Sequence, residues 1–472
     1  MKVIFDRDEL LSALIPASGV VPGRNTSANV DGILFECPGE ENGTCSLSAY
    51  DLEKGMRTTI DAKILSEGKF ILNTQKILQI VRSFPAGELM ISVGENLKAT
   101  ISSGSGSFEI SALPGEEFPY LPNLNGDRNY VMPQYELRAI ITRTVFAATQ
   151  NDPRPACNGV YFNISEGKMT VVACDGSRMA LCESDAPDDY PEASFIVPSK
   201  ILIEFSKIVK DSEDEVRISL ATKHVIFKLG SFNYFARLID TDYINYKRII
   251  PTEHTTEVFV NKEAFKAALE RAMLITEDKL GGNYRTFVRM DFEGDLLKIS
   301  SVSTSGSVYE EIPIAKNGAD LAIAFNCRNM LDAFRALPED VYTVRMRMNS
   351  PVVGARIEDA RGSGFVTEDP DSPIPEGVEL PEENGDRKKF IFFIMPVKMN
   401  KQYVRSYRIG QDRASLRHRR DIRPRRRDHN GGYGRISEGR GRGGDNIPCR
   451  RRSAPLVRRD LPESGYVAGR AR

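Results

Sequence analysis

Few residues of this 472-residue chain are equipped for covalent or metal chemistry. Before the Arg-rich end, His224 and His254 are the histidines, about 30 residues apart and in no metal-ligand spacing, so exposed strand or turn positions explain them better than catalysis. The run Asp211, Ser212, Glu213, Asp214, Glu215 has the carboxylates to hold magnesium, but it reads more simply as a solvated loop ending a helix. Seven cysteines, Cys37, Cys45, Cys157, Cys174, Cys182, Cys327 and Cys449, form no CxxC pair, which argues against a disulfide framework or a zinc site. No GxSxG, Walker loop, GxGxxG after a strand or HExxH occurs. The chemistry that remains is electrostatic. Basic residues recur where helices are expected: Lys76 and Arg82, Arg138 and Arg143, Lys200, Lys207 and Lys210, Lys266 and Arg271, Arg328 and Arg335. Arg7 and Arg24 flank a further helix.

These residues are carried by a pattern that appears three times. Leu10, Leu137 and Phe265 occupy matching places 127 and 128 residues apart, and Leu78, Leu202 and Leu331 repeat at 124 and 129. Around each, apolar residues recur at three and four, the period of a helix with one buried face. The second helix of each unit is expected over 74–84, 199–209 and 327–337. Segments such as KMTVVACD and LLKISSVS, bounded by turns, read as strands. The expected architecture is α+β: three repeated domains, 1–127, 128–254 and 255–399, each with two helices packed on antiparallel sheets. Length alone suggests the same count, at roughly 150 residues per domain.

Charge divides the chain. The formal net charge is -1, yet the stretch from Asn400 onward holds 20 Arg and one Lys against seven acidic residues. The body is therefore acidic, and cations on nearly every expected helix imply one shared positive surface rather than scattered solubilising charge. Residues 361–388 read as an acidic Pro- and Gly-rich loop, and 400–472 as an Arg/Gly-rich disordered tail. The opening MKVIFDRDELL lacks an apolar leader, and no run approaches the roughly 20 apolar residues of a membrane helix, so a cytoplasmic protein without a membrane segment is expected.

Four local motifs, NDPRPACNGV (151–160), CDGSRMA (174–180), DYINYKRIIP (242–251) and FIMPVKM (393–399), together with the opening and the repeat, resemble the bacterial DNA polymerase III beta subunit family, the replicative sliding clamps. The resemblance covers residues 1–399. It implies three DNA-clamp domains forming half of a ring, closed by a head-to-tail homodimer around double-stranded DNA. The helices, with Arg154 among the cations, would meet phosphates without reading sequence. Such a ring is a processivity factor: it needs no cofactor or metal, catalyses nothing, and tethers its partners at the primer end. The partners implied are the replicative polymerase alpha subunit, the clamp loader and repair polymerases, each docking through a short peptide motif.

The resemblance also implies a peptide pocket. Cys157, Met179, Ile249, Phe393, Met395, Pro396, Val397 and Met399 would form its apolar floor, with Cys174, Gly176, Ser177, Arg178 and Arg248 as rim. This chain departs from the family at three pocket positions: Cys157 replaces a larger apolar residue, Ile244 a Pro and Lys398 an Arg. At the subunit interface, SGSGSFEIS from Ser103 lacks cations that some relatives use, so Phe108 is expected against Leu274 and Ile275, beside Glu310 and Glu311. The tail has two accounts, a nucleic-acid-binding arm or out-of-frame translation of a GC-rich gene, and its switch from mixed Lys and Arg to 20 Arg with a single Lys favours the second. Two other functions compete with the clamp: a magnesium-dependent nucleic-acid enzyme using Asp211 to Glu215, and an acidic scaffold whose Arg tail recruits RNA.

Overall fold

The computed structural model describes residues 1–21, 30–39, 43–122, 124–276, 287–303, 306–360 and 389–398. Arg24, Met399, Cys449, the acidic segment 361–388 and the tail 400–472 lie outside them.

One order of elements runs three times: strand, helix, four strands, helix, three strands, with an added strand, Lys63–Ser66, in the first unit. The helices are α1 (Arg7–Val20), α2 (Thr74–Ser83), α3 (Gln134–Thr144), α4 (Ser199–Phe205), α5 (Lys262–Thr276) and α6 (Cys327–Ala336). Their starts are set by short polar residues that satisfy the first free amides. Asp6 accepts from Asp8 N and Glu9 N at 2.9 and 3.0 Å, Asn73 from Lys76 N at 3.1 Å, Asn261 from Ala264 N at 2.9 Å and Asn326 from Asn329 N at 3.1 Å. At α3, Pro133 offers no side-chain cap. Backbone carbonyls of the acidic run do the work instead, Asp214 O accepting from Gln134 N at 2.8 Å and Ser212 O from Tyr135 N at 3.1 Å. That gives the 211–215 segment a structural role.

Two sequence expectations change here. Arg7 does not flank α1; it is its first residue, and its guanidinium donates to the carbonyls of Val81 and Arg82 at the end of α2, both at 3.2 Å. Helix α4 stops at Phe205 rather than near 209, and Lys207 and Lys210 follow it on irregular turns.

The strands form a 13-stranded and a 12-stranded antiparallel arrangement, and both run across unit boundaries. Strand Phe232–Arg237 of the second unit pairs with Lys54–Asp61 of the first, Asn233 opposite Arg57 and Ala236 opposite Lys54. Strand Lys389–Ile394 of the third pairs with Arg178–Asp185 of the second, Ile394 opposite Arg178 and Lys389 opposite Glu183. Each seam is thus a backbone ladder as well as a side-chain contact. The helices press their apolar stripes onto the sheets: Leu10, Leu14, Ile77, Val81, Leu137, Ile141, Phe265, Leu269, Leu331 and Phe334 are buried, and Phe265 meets Phe334 edge to face at 4.6 Å.

Candidate functional site

The two seams have the same construction, and comparing them locates the candidate peptide groove. At each, a four-residue turn links two paired strands: Asp51 to Lys54 between Tyr50 and Gly55, and Asp175 to Arg178 between Cys174 and Met179. The aspartate Oδ1 accepts from the third and fourth turn amides, at 3.0 and 2.7 Å in the first turn and 2.8 and 3.0 Å in the second. The second turn residue has positive φ, 75° at Leu52 and 89° at Gly176. Only the latter is the residue that adopts this conformation without strain.

At the first seam the outer face is filled. Tyr50 packs on Phe235 at 5.6 Å between centroids, and the Phe235 ring lies over Gly55 so closely that an added Cβ would sit 2.0 Å from it. At the second seam Cys174 stands where Tyr50 does and Met179 where Gly55 does. There a buried apolar cluster is formed by Val172, Cys174, Met179, Leu181, Tyr246, Ile391 and Phe393, with Tyr161, Tyr243, Ile244 and Ile250 packed against it. Tyr243 stacks on Tyr161 at 4.6 Å and its hydroxyl donates to Val172 O at 3.1 Å, fixing the 242–251 segment against the sheet.

Most pocket residues expected from sequence meet here. Cys157, Cys174, Met179 and Phe393 are buried; Pro396 and Val397 are half-buried; Ile249 and Met395 are 39% and 41% exposed, so apolar side chains face solvent beside an apolar floor. Gly176, Ser177, Arg248 and Lys398 are exposed at the edge. The 395–398 segment is tied down by Met395 N donating to Ser177 O and Val397 N to Ala324 O, both at 2.8 Å. Arg178 is held by Asp175 at 3.0 Å and Asp332 of α6 at 2.8 Å. Arg154, expected on the DNA face, is instead at the groove: it pairs with Asp152 at 2.8 Å and donates to Asp175 O at 3.0 Å. Sequence reasoning missed Val172, Leu181, Tyr161, Tyr243, Tyr246 and Ile391. Strand alternation was the available signal, since Val172, Leu181 and Ile391 lie two residues from Cys174, Met179 and Phe393.

Burial raises the pKa of both the Cys157 and Cys174 thiols above the usual value. The six described cysteines are buried. Thiolate is the reactive form, so alkylation by iodoacetamide at pH 8 is expected to run about tenfold or more slowly at these six in the native protein than in urea, read by mass spectrometry of tryptic peptides.

The cations separate into two groups. Lys76, Arg82, Arg138, Arg143, Lys200, Lys207 and Lys210 make no ion pair among the described residues; all but the half-buried Arg143 are exposed. In the third unit Lys266 is paired with Glu263 at 2.9 Å, Arg271 with Glu310 and Arg335 with Glu270 at 2.8 Å; Arg328 is exposed at the start of α6. The expected cations without an ion pair among the described residues therefore lie in the first two units. A cleft of about 1060 Å³ beside α1 and α4 has Lys207 and Lys210 on its wall.

Among the described residues no group of three or more His, Cys, Asp or Glu could hold a metal ion. His224 lies half-buried on a strand, where desolvation lowers its pKa, and His254 lies 3.8 Å from Glu257. No described helix is long and apolar enough to cross a membrane. At the expected subunit interface, Phe108 is 44% and Leu274 80% exposed, while Ile275 is half-buried. Glu310 is already engaged by Arg271, and Glu311 accepts from the Tyr309 hydroxyl.

A threefold-repeated α+β chain with sheets continuous across its seams, an apolar cluster with a solvent-facing edge at one of them and cations on its helices is a clamp-type binding protein. Three family patterns match in succession: DNA polymerase III beta subunit, N-terminal domain over residues 1–122, central domain over 131–245 and C-terminal domain over 247–367. The beta sliding clamp of Halalkalibacterium halodurans is 30% identical over 353 residues, covering 72% of this chain and 91% of that one. That of Escherichia coli K12 is 28% identical over 362 residues, covering 76% and 96%. The DNA polymerase sliding clamp of Bacillus subtilis superposes with a TM-score of 0.74 at 25% identity, over 85% of this chain and all of that one. The chain belongs to the DNA polymerase III beta subunit family.

Proposed function

We infer that this protein is a DNA sliding clamp of replication, a non-catalytic processivity factor that encircles duplex DNA and tethers the polymerase. The observation that carries this reading is three clamp domains in succession on a chain whose internal seams join strand to strand. The domains are taken as 1–127, 128–254 and 255–399. Applying the seam rule once more gives the homodimer. Strands Lys54–Asp61 and Arg178–Asp185 each receive the last strand of the next unit; the third equivalent, Ser307–Gly318, pairs with Leu296–Val302 along residues 307–313 and has no second partner there among the described residues. The last strand of the first unit, Gly106–Pro114, is likewise open along 106–111 on the edge away from Lys98–Ser103. Unpaired edges invite another strand, and joining these two head to tail between two copies sets Phe108 toward Leu274 and Ile275.

Within such a ring the unpaired cations on and after the helices meet phosphates. The groove at the second seam takes the polymerase alpha subunit, the clamp loader and repair polymerases through short peptides, anchored on Met179, Phe393, Met395 and their neighbours. The whole operates in the cytoplasm. Loading on a closed DNA circle separates this function from its competitors: the ring is expected to stay until the circle is cut, then leave within minutes. Equal release from closed and linear DNA would reject encirclement, and metal-dependent cleavage of the circle would favour the enzyme.

A further inference from the structure

We propose that an ion-pair latch, repeated at both seams inside the chain, is absent from the third seam, between two copies, and that Gly306 and Gln79 are the positions responsible. The inference rests on the head-to-tail dimer proposed above and concerns how strongly its seam holds.

The latch has one geometry. The fourth residue of each seam turn is a cation reaching the sixth residue of the next unit's second helix. At the first seam Lys54 pairs with Glu204 of α4 and also donates to Gly19 O at 3.1 Å. At the second, Arg178 pairs with Asp332 of α6 at 2.8 Å. Both cations are largely buried, with side chains 6% and 13% exposed, so the pairs work with little solvent screening. Partners are 150 and 154 residues apart in sequence, so each pair ties one unit to the next.

The third unit closes at the same register. Val302 pairs with Ser307 as Cys174 does with Met179, and Ser303 N donates to Gly306 O at 2.8 Å, as Asp51 N does to Lys54 O at 3.0 Å and Asp175 N to Arg178 O at 3.2 Å. The fourth turn residue here is Gly306, which has no side chain. The helix that a partner copy would bring to it is α2, whose sixth residue is Gln79, exposed and uncharged. Cation and anion are therefore both missing from the one seam that is not covalently continuous. Internal seams are held by chain, ladder and latch; the intersubunit seam has no chain continuity and no latch at these two positions. This makes it the place where the ring parts.

The latch can be put back. No positive φ is recorded at Gly306, and among the described residues a Cβ there meets nothing nearer than Ile275 Cδ1 at 3.7 Å, which leaves room for a side chain. The test is a double-mutant cycle on the full chain, with Gly306→Arg and Gln79→Glu singly and together, reading the dimer dissociation constant by dilution and sedimentation velocity. The double variant is expected to dissociate about tenfold less than the natural chain, about 1.4 kcal/mol, with each single change near neutral. The mismatched pair Gly306→Arg with Gln79→Lys is expected to weaken the dimer, and the swapped pair Gly306→Glu with Gln79→Lys to restore it, which covers the case that one variant folds poorly. A natural chain that stays monomeric at every concentration removes the dimer itself; a dimer with no coupling between the two positions overturns the latch.

Discussion

Replacing Cys174 with Tyr is expected to abolish peptide docking while leaving the fold and the dimer in place. The structure contains the precedent, because Tyr50 occupies the matching position at the first seam and fills it against Phe235. The substitution is not free. Gly55 makes room for the aromatic pair at the first seam, whereas Met179 stands opposite residue 174, so an inserted ring is pushed outward into the groove with an overpacking cost of about 1–3 kcal/mol. A fluorescent peptide from the polymerase alpha subunit is expected to lose about a hundredfold in affinity, about 2.7 kcal/mol. Cys174→Ala serves as the control and keeps binding. Affinity within about threefold of the natural protein in the Tyr variant, measured by anisotropy, would mean that peptides dock elsewhere.

The second large effect concerns the unpaired cations. Neutralising Lys76, Arg82, Arg138 and Lys200 together with Ala removes four exposed charges from three helices. Each phosphate contact contributes about 0.9 to the slope of log affinity against log salt, so the slope for a short duplex is expected to flatten by up to about 3.6, with an affinity loss of several hundredfold or more near physiological salt. Exposed substitutions of this kind cost little stability, about 0.5 kcal/mol or less each. The comparison variant is Arg271→Ala with Arg335→Ala. Both of these cations are already neutralised, by Glu310 and Glu270, and a smaller change per residue is expected. An unchanged salt slope in the fourfold variant, or an equal loss per residue in the twofold one, would remove phosphate contact from these helices.

What the sequence carried and what it hid follow physical lines. Helices with one apolar face declare themselves at a spacing of three and four, and α2 and α6 appeared within a residue of their expected ends. Helix α4 misled because Lys207 and Val209 continue a helical pattern that the chain abandons after Phe205. The groove was partly readable: turn chemistry marked CDGSRMA, but the apolar floor comes from three strands whose alignment depends on register. Arg154 pairs with Asp152 two residues away, a contact readable in the sequence, whereas its bond to the Asp175 carbonyl 21 residues away was not. The pairing of third-unit cations was equally hidden, since Arg271 and Arg335 find their acids 39 and 65 residues distant.

The unbroken ladders between units have a mechanical consequence. Pulling the first unit from the second, or the second from the third, loads several backbone hydrogen bonds at once instead of breaking them singly. Side chains alone could creep under such a load, whereas a register of paired amides resists until it yields together. If a polymerase peptide docks at the second seam as proposed, tension on it falls on the paired strands Arg178–Asp185 and Lys389–Ile394, where it is shared along the backbone instead of concentrating at the anchor.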